Sequence, residues 1–597
     1  MFAKFFESEL KYLQERGNEF ASGPYQAAAR LHTHGGDPDV ERLLEGFAVL
    51  TARIQERLED AVPELVENLV DLLVPHLLRP LPATAIVQFS TNLHALRGLQ
   101  KIPRGRPLEA PTRHGTTCRF RTTTDVDLLP VEVTSAEFDR ATPGAPSLTL
   151  RLRLTEAGRG LLSQPREASQ KAPRPELRFF IAGKPTLVYG LRLLLLGGRC
   201  KGVRSRLLST SSAPVAGANA QPPPPPLELG PDAVVPVGFA DDEALVPWPS
   251  LSHPGLRLVQ EYMFAPEKFW FFAVRGPFFA DGRGDTLELR FQFESSDPPP
   301  GDVTADTFRL HCAPAVNLFD VTADPIRLDP LVQEHRLHPA GLPHAHTEVY
   351  AVQNVRSSRA GRADERTYAP FFGYAHAHDP RALYYSVRRS RSPADNGVDV
   401  HLAVHSAHGA PAPELLGEVL HTDLLCTNRA LVTDLNKEAI CREPRAGAIQ
   451  VRTVSDVSPP VAAPLGGELY WRLLAHLSLG QASLADPVTL RNLLSLYDFQ
   501  PNTPRSPATR IAAIRRVDPR IITRIVGGAP VRGTETTIEL DESKFSSPGE
   551  AHLMLAVLDA LFADSVGINS FNQLTARLHP SDIRFRWPAR NGNLPMI

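Results

Sequence analysis

Over the first 80 residues the apolar positions recur every three to four residues. Phe2, Phe5, Phe6, Leu10 and Leu13 share one helical face. A second stripe runs Val40, Leu43, Leu44, Phe47, Leu50, Ile54 and Leu58. It opens on Asp37-Pro38, an N-cap residue followed by proline at the first helical position, with Asp39 and Glu41 at the positive end of the dipole. A third opens at Pro63 and continues through Leu65, Val66, Leu69, Val70, Leu73 and Leu77, with a kink expected at Pro75 and a stop at Pro80 and Pro82. From residue 85 the period drops towards two. Strand-like runs fall at 85–89, 148–154, 177–183, 191–196, 285–294, 308–313, 347–355, 382–389 and 398–405, and several alternate apolar with polar, as half-buried antiparallel strands do. Helical spacing returns at 468–480 and at 485–499, the latter behind Asp486-Pro487. Strands come next at 520–527 and 534–542, then an amphipathic helix from Pro548 to Val566 with Leu553, Val557, Leu558, Leu561 and Phe562 inward. The pattern predicts a multidomain α+β protein. Its parts are an N-terminal helical segment (1–82), a β-rich domain (83–330), a second β-rich domain (331–460) and a C-terminal α+β domain (461–597).

Composition sharpens this picture at a few points. Proline occupies 56 of 597 positions, about twice the usual ~5%, which fits rigid connections between many strands. Residues 210–236 read as a surface loop whose five consecutive prolines, 222–226, favour polyproline II; 160–175 reads as another loop. Lys and Arg number 64 against 66 Asp and Glu, so no basic excess points to nucleic acid. Five cysteines without a CxxC pair argue against a disulfide framework and fit a reducing, cytoplasmic setting. Glu7, Glu9 and Glu15 stand where a signal peptide would be apolar. Nor does any run of about 18 apolar residues occur, so membrane contact is expected only through other proteins.

Catalytic signatures are sparse. No phosphate-binding loop, GxSxG, HExxH or DxDxDG calcium loop occurs, and GRGDT at 282–286 fails the dinucleotide pattern. Three HxH pairs, His32/His34, His344/His346 and His376/His378, would each put two imidazoles on one face of a strand, an arrangement that suits zinc. A third ligand at a recurring spacing is missing. Carboxylate pairs such as Asp241/Asp242 and Asp541/Glu542 are unspecific. The residues by themselves therefore indicate an assembly protein, with no catalytic, cofactor-binding or metal-binding residue assigned.

A series of ordered segments resembles the TssF family of type VI secretion baseplate subunits: YLQERGNEFA (12–21), DPDVERLLEGFAVLTARIQERLED (37–60), PELVENLVDLLVPHLLRPLPATAIVQF (63–89), APAVNLFDVTADPIRLD (313–329), YAPFFGYAHA (368–377), DLLCTNRALVTDL (423–435), YWRLLAHLSLGQASL (470–484), VRGTETTIELDES (531–543) and INSFNQLTARL (568–578). The stretch 95–235 shows little match. The resemblance implies a wedge subunit that assembles with TssG, TssK, TssE and a second TssF copy around the VgrG hub, nucleates the contractile sheath proteins, has no enzymatic activity, and works in the bacterial cytoplasm at the inner face of the membrane. Two other readings are a wedge protein of a phage tail or tail-like bacteriocin, and a metal-dependent hydrolase built on one HxH pair. Three thin N-terminal helices have little interior of their own, so Tyr12, Leu13, Phe20, Leu43, Leu44 and Phe47 are the candidate partner-facing residues. Asn428 and Arg429 of the CTNR motif are expected as turn and capping groups and as candidates for direct partner contact.

Overall fold

A computed structural model describes residues 70–592 with interior breaks, among them 164–174, 210–224, 372–381, 407–416 and 466–483, and only isolated positions before residue 70. The first and second N-terminal stripes, with Tyr12, Leu13, Phe20, Leu43, Leu44 and Phe47, lie outside the described residues, as does the 468–480 helix. The third helix ends ahead of Pro75, and Pro75–Leu77 continues as a 3-10 turn. The expected kink is thus a stop, since Pro75 has no N–H to extend the ladder. Behind it the chain is pinned to the body. Asp71 pairs with buried Arg389 at 3.2 Å. His76 stacks on Trp248, with ring centroids 4.1 Å apart, and its Nε2 lies 3.3 Å from the Tyr497 hydroxyl.

Strands dominate from residue 84 onward, as the α+β expectation has it. A five-stranded antiparallel sheet runs in the order 450–453, 84–90, 312–316, 118–122, 107–110 and closes over Phe89, Leu108 and Phe120. Two more sheets, 227–229/200–208/286–293/147–154/131–139 and 234–236/271–275/176–181/308–310, share one large core with the helices Pro185–Leu196, Pro254–Phe264 and Pro548–Asp564. An eight-stranded sheet, centred on the long pair Glu348–Ser358 and Val419–Thr427, has its own core around Val355, Leu402 and Leu424. The last sheet is built on the hairpin Ile514–Val526/Ala529–Asp541 with Phe571–His579 in parallel beside it. Chain connections run across the expected domain limits: strand 450–453 pairs with 84–90, and the core of the 131–310 region continues into residues 484–587.

Three local expectations change. The run 191–196, read as a strand, is the end of the Pro185–Leu196 helix. Leu191, Arg192, Leu193, Leu194 and Leu195 are all buried, and a helix covered on every side has no stripe to distinguish it from a strand. For the same reason Pro548–Asp564 is not amphipathic: every side chain from Ala551 to Ala563 is buried. The proline-rich loop ends before its expected limit, because Leu227–Leu229 pairs with 203–205 and Val234–Pro236 pairs with 272–274.

Glycine permits the crossing of the three core helices. A Cβ on Gly255 would lie 2.6 Å from the Cα of Leu561, and one on Gly549 would overlap the Tyr189 carbonyl oxygen. Backbones at that separation leave room for hydrogen only.

Charge is buried at the same place. Glu261 is fully buried and accepts from the Leu245 N–H at 2.7 Å, from Arg257 at 3.1 Å and from Lys268. Arg257 also reaches the Phe239 and Ala240 carbonyls at 3.3 and 3.2 Å. Burial pulls the Lys268 ammonium down to about 8 against the attraction of Glu261. Both cations lean on this carboxylate, and Arg257 also has the exposed Asp241 at 3.1 Å. Glu261→Gln leaves the buried Lys268 without its paired carboxylate and should destabilise by about 3–5 kcal/mol. The expected outcome is a lowered thermal midpoint and faster amide exchange across the 254–264 helix.

Candidate partner interface

Of the sequence-selected site residues, Asn428 and Arg429 are described, and both are buried within this chain. Asn428 follows the strand Val419–Thr427 of the eight-stranded sheet. Asn317 lies where the chain leaves strand 312–316 of the first sheet for strand 319–322 of the eight-stranded one. The two asparagines clasp each other. The Asn428 N–H donates to Asn317 Oδ1 at 2.7 Å, and Asn317 Nδ2 donates to Asn428 Oδ1 at 2.8 Å. Asn428 Oδ1 also accepts from the Arg119 N–H at 2.8 Å, while Asn317 Nδ2 donates to the Arg119 carbonyl at 2.7 Å. The pair therefore ties strand 118–122 of one sheet to the end of strand 419–427 of the other, in a site sealed from water. Arg429 takes a left-handed φ of 52°. Its Nη1 donates to the His344 carbonyl at 3.2 Å, and its guanidinium lies on Gly397, where a Cβ would overlap Nη2. Asn428 stands at the N-cap of the 3-10 turn Arg429–Asp434 but its side chain makes no capping bond; it is spent on the clasp between sheets instead.

The pair His344/His346 sits on a 3-10 turn instead of a strand, so the two rings part. His344 Nε2 meets Asp399 at 3.0 Å, and that carboxylate also pairs with Arg336 at 2.7 Å. His346 Nδ1 contacts the Thr116 hydroxyl at 2.8 Å. The other two HxH pairs lie outside the described residues. Among the described residues no group of three His, Cys, Asp or Glu side chains is arranged to hold a metal.

Two polar clefts flank His311. One, of about 480 Å³, is lined by Gln88, Arg153, Arg309 and Arg452. The other, of about 460 Å³, is lined by Lys101, Asp125, Arg178 and Glu243. Their charges face one another: Lys101–Asp125 at 2.7 Å, Arg178–Glu243 at 3.4 Å and Arg309–Asp306 at 3.3 Å. His311 carries a left-handed φ of 59°. Its Nε2 accepts the Leu129 N–H at 3.2 Å, and burial pushes it down to about 4. It is therefore a neutral acceptor that holds a turn. No helix among the described residues is long and apolar enough to cross a membrane.

The surface the sequence reading passed over is the C-terminal hairpin. Ile521 and Ile525 are 65% and 80% exposed on a strand that forms the end of its sheet. The signal was present in RIITRIV, where Ile521, Thr523 and Ile525 fall on every second position, although nothing in that run says which face is covered. Asn317 was also within a quoted motif, but two asparagines 111 residues apart give no sign of meeting.

Asn428→Ala removes the acceptor of the Arg119 N–H and of one Asn317 Nδ2 hydrogen, while Nδ2 keeps its bond to the Arg119 carbonyl. A loss of roughly 1–3 kcal/mol is expected from the donor left without a partner. It should be read as a drop in thermal midpoint and as accelerated exchange at the Arg119 amide.

The comparisons with known proteins agree. The family model described as "Type VI secretion system, TssF" matches residues 1–594. The chain is 32% identical over 646 aligned positions to the type VI secretion system component TssF1 of Pseudomonas aeruginosa, covering 100% of this chain and 99% of that protein. Its fold superposes with a TM-score of 0.71, at 26% identity, on a chain of the type VI secretion TssK-TssF-TssG baseplate subcomplex, covering 92% of this chain and 99% of that one. A chain of the type VI secretion baseplate complex gives 0.61 at 25% identity, with both chains covered in full. The chain belongs to the TssF family of type VI secretion system proteins.

Proposed function

We propose that this protein is the TssF wedge subunit of a type VI secretion baseplate and acts by binding other subunits rather than by catalysis. The observation that carries the reading is the superposition over almost the whole chain, at a TM-score of 0.71, on a chain solved within a TssK-TssF-TssG subcomplex. Agreement over that length spans the backbone of almost the whole subunit, which supports the same role for this chain. In this reading the chain binds TssG and TssK, joins TssE and a second copy of itself, surrounds the VgrG hub and gives the sheath its starting ring. It does so in the cytoplasm, at the inner face of the membrane. The clefts fit a scaffold: Lys101–Asp125, Arg178–Glu243 and Arg309–Asp306 are paired and Arg452 is held by Gln88, rather than converging on a reacting atom.

The N-terminal stripes are the proposed meeting place with the partner's helices. The described end of this segment is held to the body by Asp71–Arg389 and His76–Trp248, which would orient everything before residue 70. Tyr12, Leu13, Phe20, Leu43, Leu44 and Phe47 then present apolar faces to a partner bundle. Asn428 and Arg429 act inside the chain, by fixing the junction of two sheets.

Co-expression with the cognate TssG and TssK, followed by size exclusion and mass measurement, tests the reading. A stable complex containing all three is expected. A chain that stays alone, with a melting point unmoved by added TssG, would overturn it. Phe47→Glu should abolish the complex while circular dichroism stays unchanged. A buried, unpaired carboxylate costs several kcal/mol, enough to reduce binding by more than a hundredfold.

A further inference from the structure

We propose that strand Ile514–Val526 is an open sheet edge that receives an extended, acidic segment of a partner protein as an added strand. The proposal rests on the assembly reading above.

The strand runs 13 residues and pairs with Ala529–Asp541 along its length. Among the described residues no strand lies on its other side. Which backbone groups face that side can be read from the register. Thr523 stands opposite Arg532. The Arg532 carbonyl turns away from Thr523, towards the Ser570 hydroxyl, which donates to it at 2.8 Å. Directly opposed residues of an antiparallel pair turn inward or outward together. Thr523 therefore presents its N–H and C=O at the open edge. The register is unbroken between Arg516 and Val526, so Ile521 and Ile525 do the same. Pro519 shares their parity, and a proline fits a ladder where its nitrogen faces outward.

The first half of the edge is guarded. Arg491 from the Pro487–Ser495 helix donates to the Ile514 carbonyl at 3.3 Å, and Pro519 offers no donor. Among the described residues nothing guards the second half. Residues 521, 523 and 525 form a row of β-branched side chains, all exposed, beside three backbone positions that no described strand pairs. An edge of this kind is a template for a further strand.

Charge selects the occupant. The strand contains Arg515, Arg516, Arg520 and Arg524 against Asp518 alone. Arg515 has Asp541 at 2.8 Å. Arg516 and Arg520, about two-thirds exposed or more, share Asp518 at 4.0 and 3.2 Å. Arg524 lies over Phe571 and donates to the side-chain Oε1 of Gln573. A second copy would set one arginine-rich edge against another, and like charges across a ladder repel. An incoming strand with Asp or Glu between apolar residues meets both features of the edge.

The test uses the full chain and two synthetic twelve-residue peptides, one alternating Val with Glu and one alternating Val with Lys. Amide exchange is read residue by residue. The Val–Glu peptide should slow Ile521, Thr523 and Ile525 at least tenfold, leave Arg520, Ile522 and Arg524 unchanged because they are already bonded, and bind at least tenfold more tightly than Val–Lys. Thr523→Pro should abolish binding with the thermal midpoint retained, since its nitrogen is not used by the native ladder. Absent protection, equal binding of both peptides, or slowing in concentrated chain without peptide would overturn the proposal; the last would mean self-pairing. In the co-expressed complex, the same three amides should be slow. A complex that forms with them still fast overturns the edge proposal and leaves the assembly reading intact, whereas failure of the complex to form counts against the assembly reading and leaves the peptide result to decide the edge.

Discussion

The contact on which most of this architecture depends is the burial of the Pro548–Asp564 helix on all sides. It lies in the core shared with the 185–196 and 254–264 helices, close enough to them for Gly255 and Gly549 to be required. On its other flank runs the strand Phe571–His579. A helix so enclosed must satisfy every polar group within it. His552, stripped of water, is pushed well below its ordinary value. As the neutral ring it can accept from Arg192 at 3.3 Å while stacking on Trp587. Burial raises the Asp559 carboxyl to about 6 against the pull of Arg590, 2.7 Å away. Arg192, itself lowered to about 10 by burial, also donates to the Phe269 carbonyl at 3.1 Å. Of these contacts, Arg192–His552 binds the C-terminal region to the middle of the chain, a directional link that a purely apolar core would lack.

A second constraint acts at the passage between the first sheet and the eight-stranded sheet. Apolar contact could hold the two together at many angles. The Asn317–Asn428 clasp, sharing Arg119 between them, admits one. With Arg429 seated against Gly397, the junction becomes a fixed angle in a protein whose described clefts hold paired charges. A fixed angle between sheets keeps the two bodies of the fold as one rigid unit.

Legibility in the sequence followed burial. Half-covered strands such as 147–154 and 286–293 announced themselves by alternation, because one face meets water. Asp486 and Pro487 marked a helix start correctly, and the Asp486 carboxylate accepts from the Thr489 N–H at 2.8 Å. Fully covered elements lost their period: 191–196 passed for a strand, and 548–564 passed for an amphipathic helix. Long-range partnerships were invisible for a different reason. The Asn317–Asn428 clasp and the use of Arg257 and Lys268 by one glutamate depend on where the chain returns in space. The i, i+4 spacing of Arg257 and Glu261 was the one local trace of that cluster.

The distribution of charge bears on how such a subunit keeps its shape while its surfaces engage others. Inside, the ions are few and shared, so that losing one strands its neighbours and the local geometry is all-or-none. At the surface they are many and paired loosely, as with Arg204–Glu228, whose side chains are 49% and 69% exposed, and each such pair contributes little. Partner binding can exchange those outer pairs at small cost without disturbing the inner ones. The C-terminal hairpin departs from both patterns. Its edge carries more arginines than acids and two isoleucines in the open, while the strand beside it is backed by Phe571 against Gly533. A supported inner strand and an unmatched outer edge leave the hairpin with binding free energy to offer a partner.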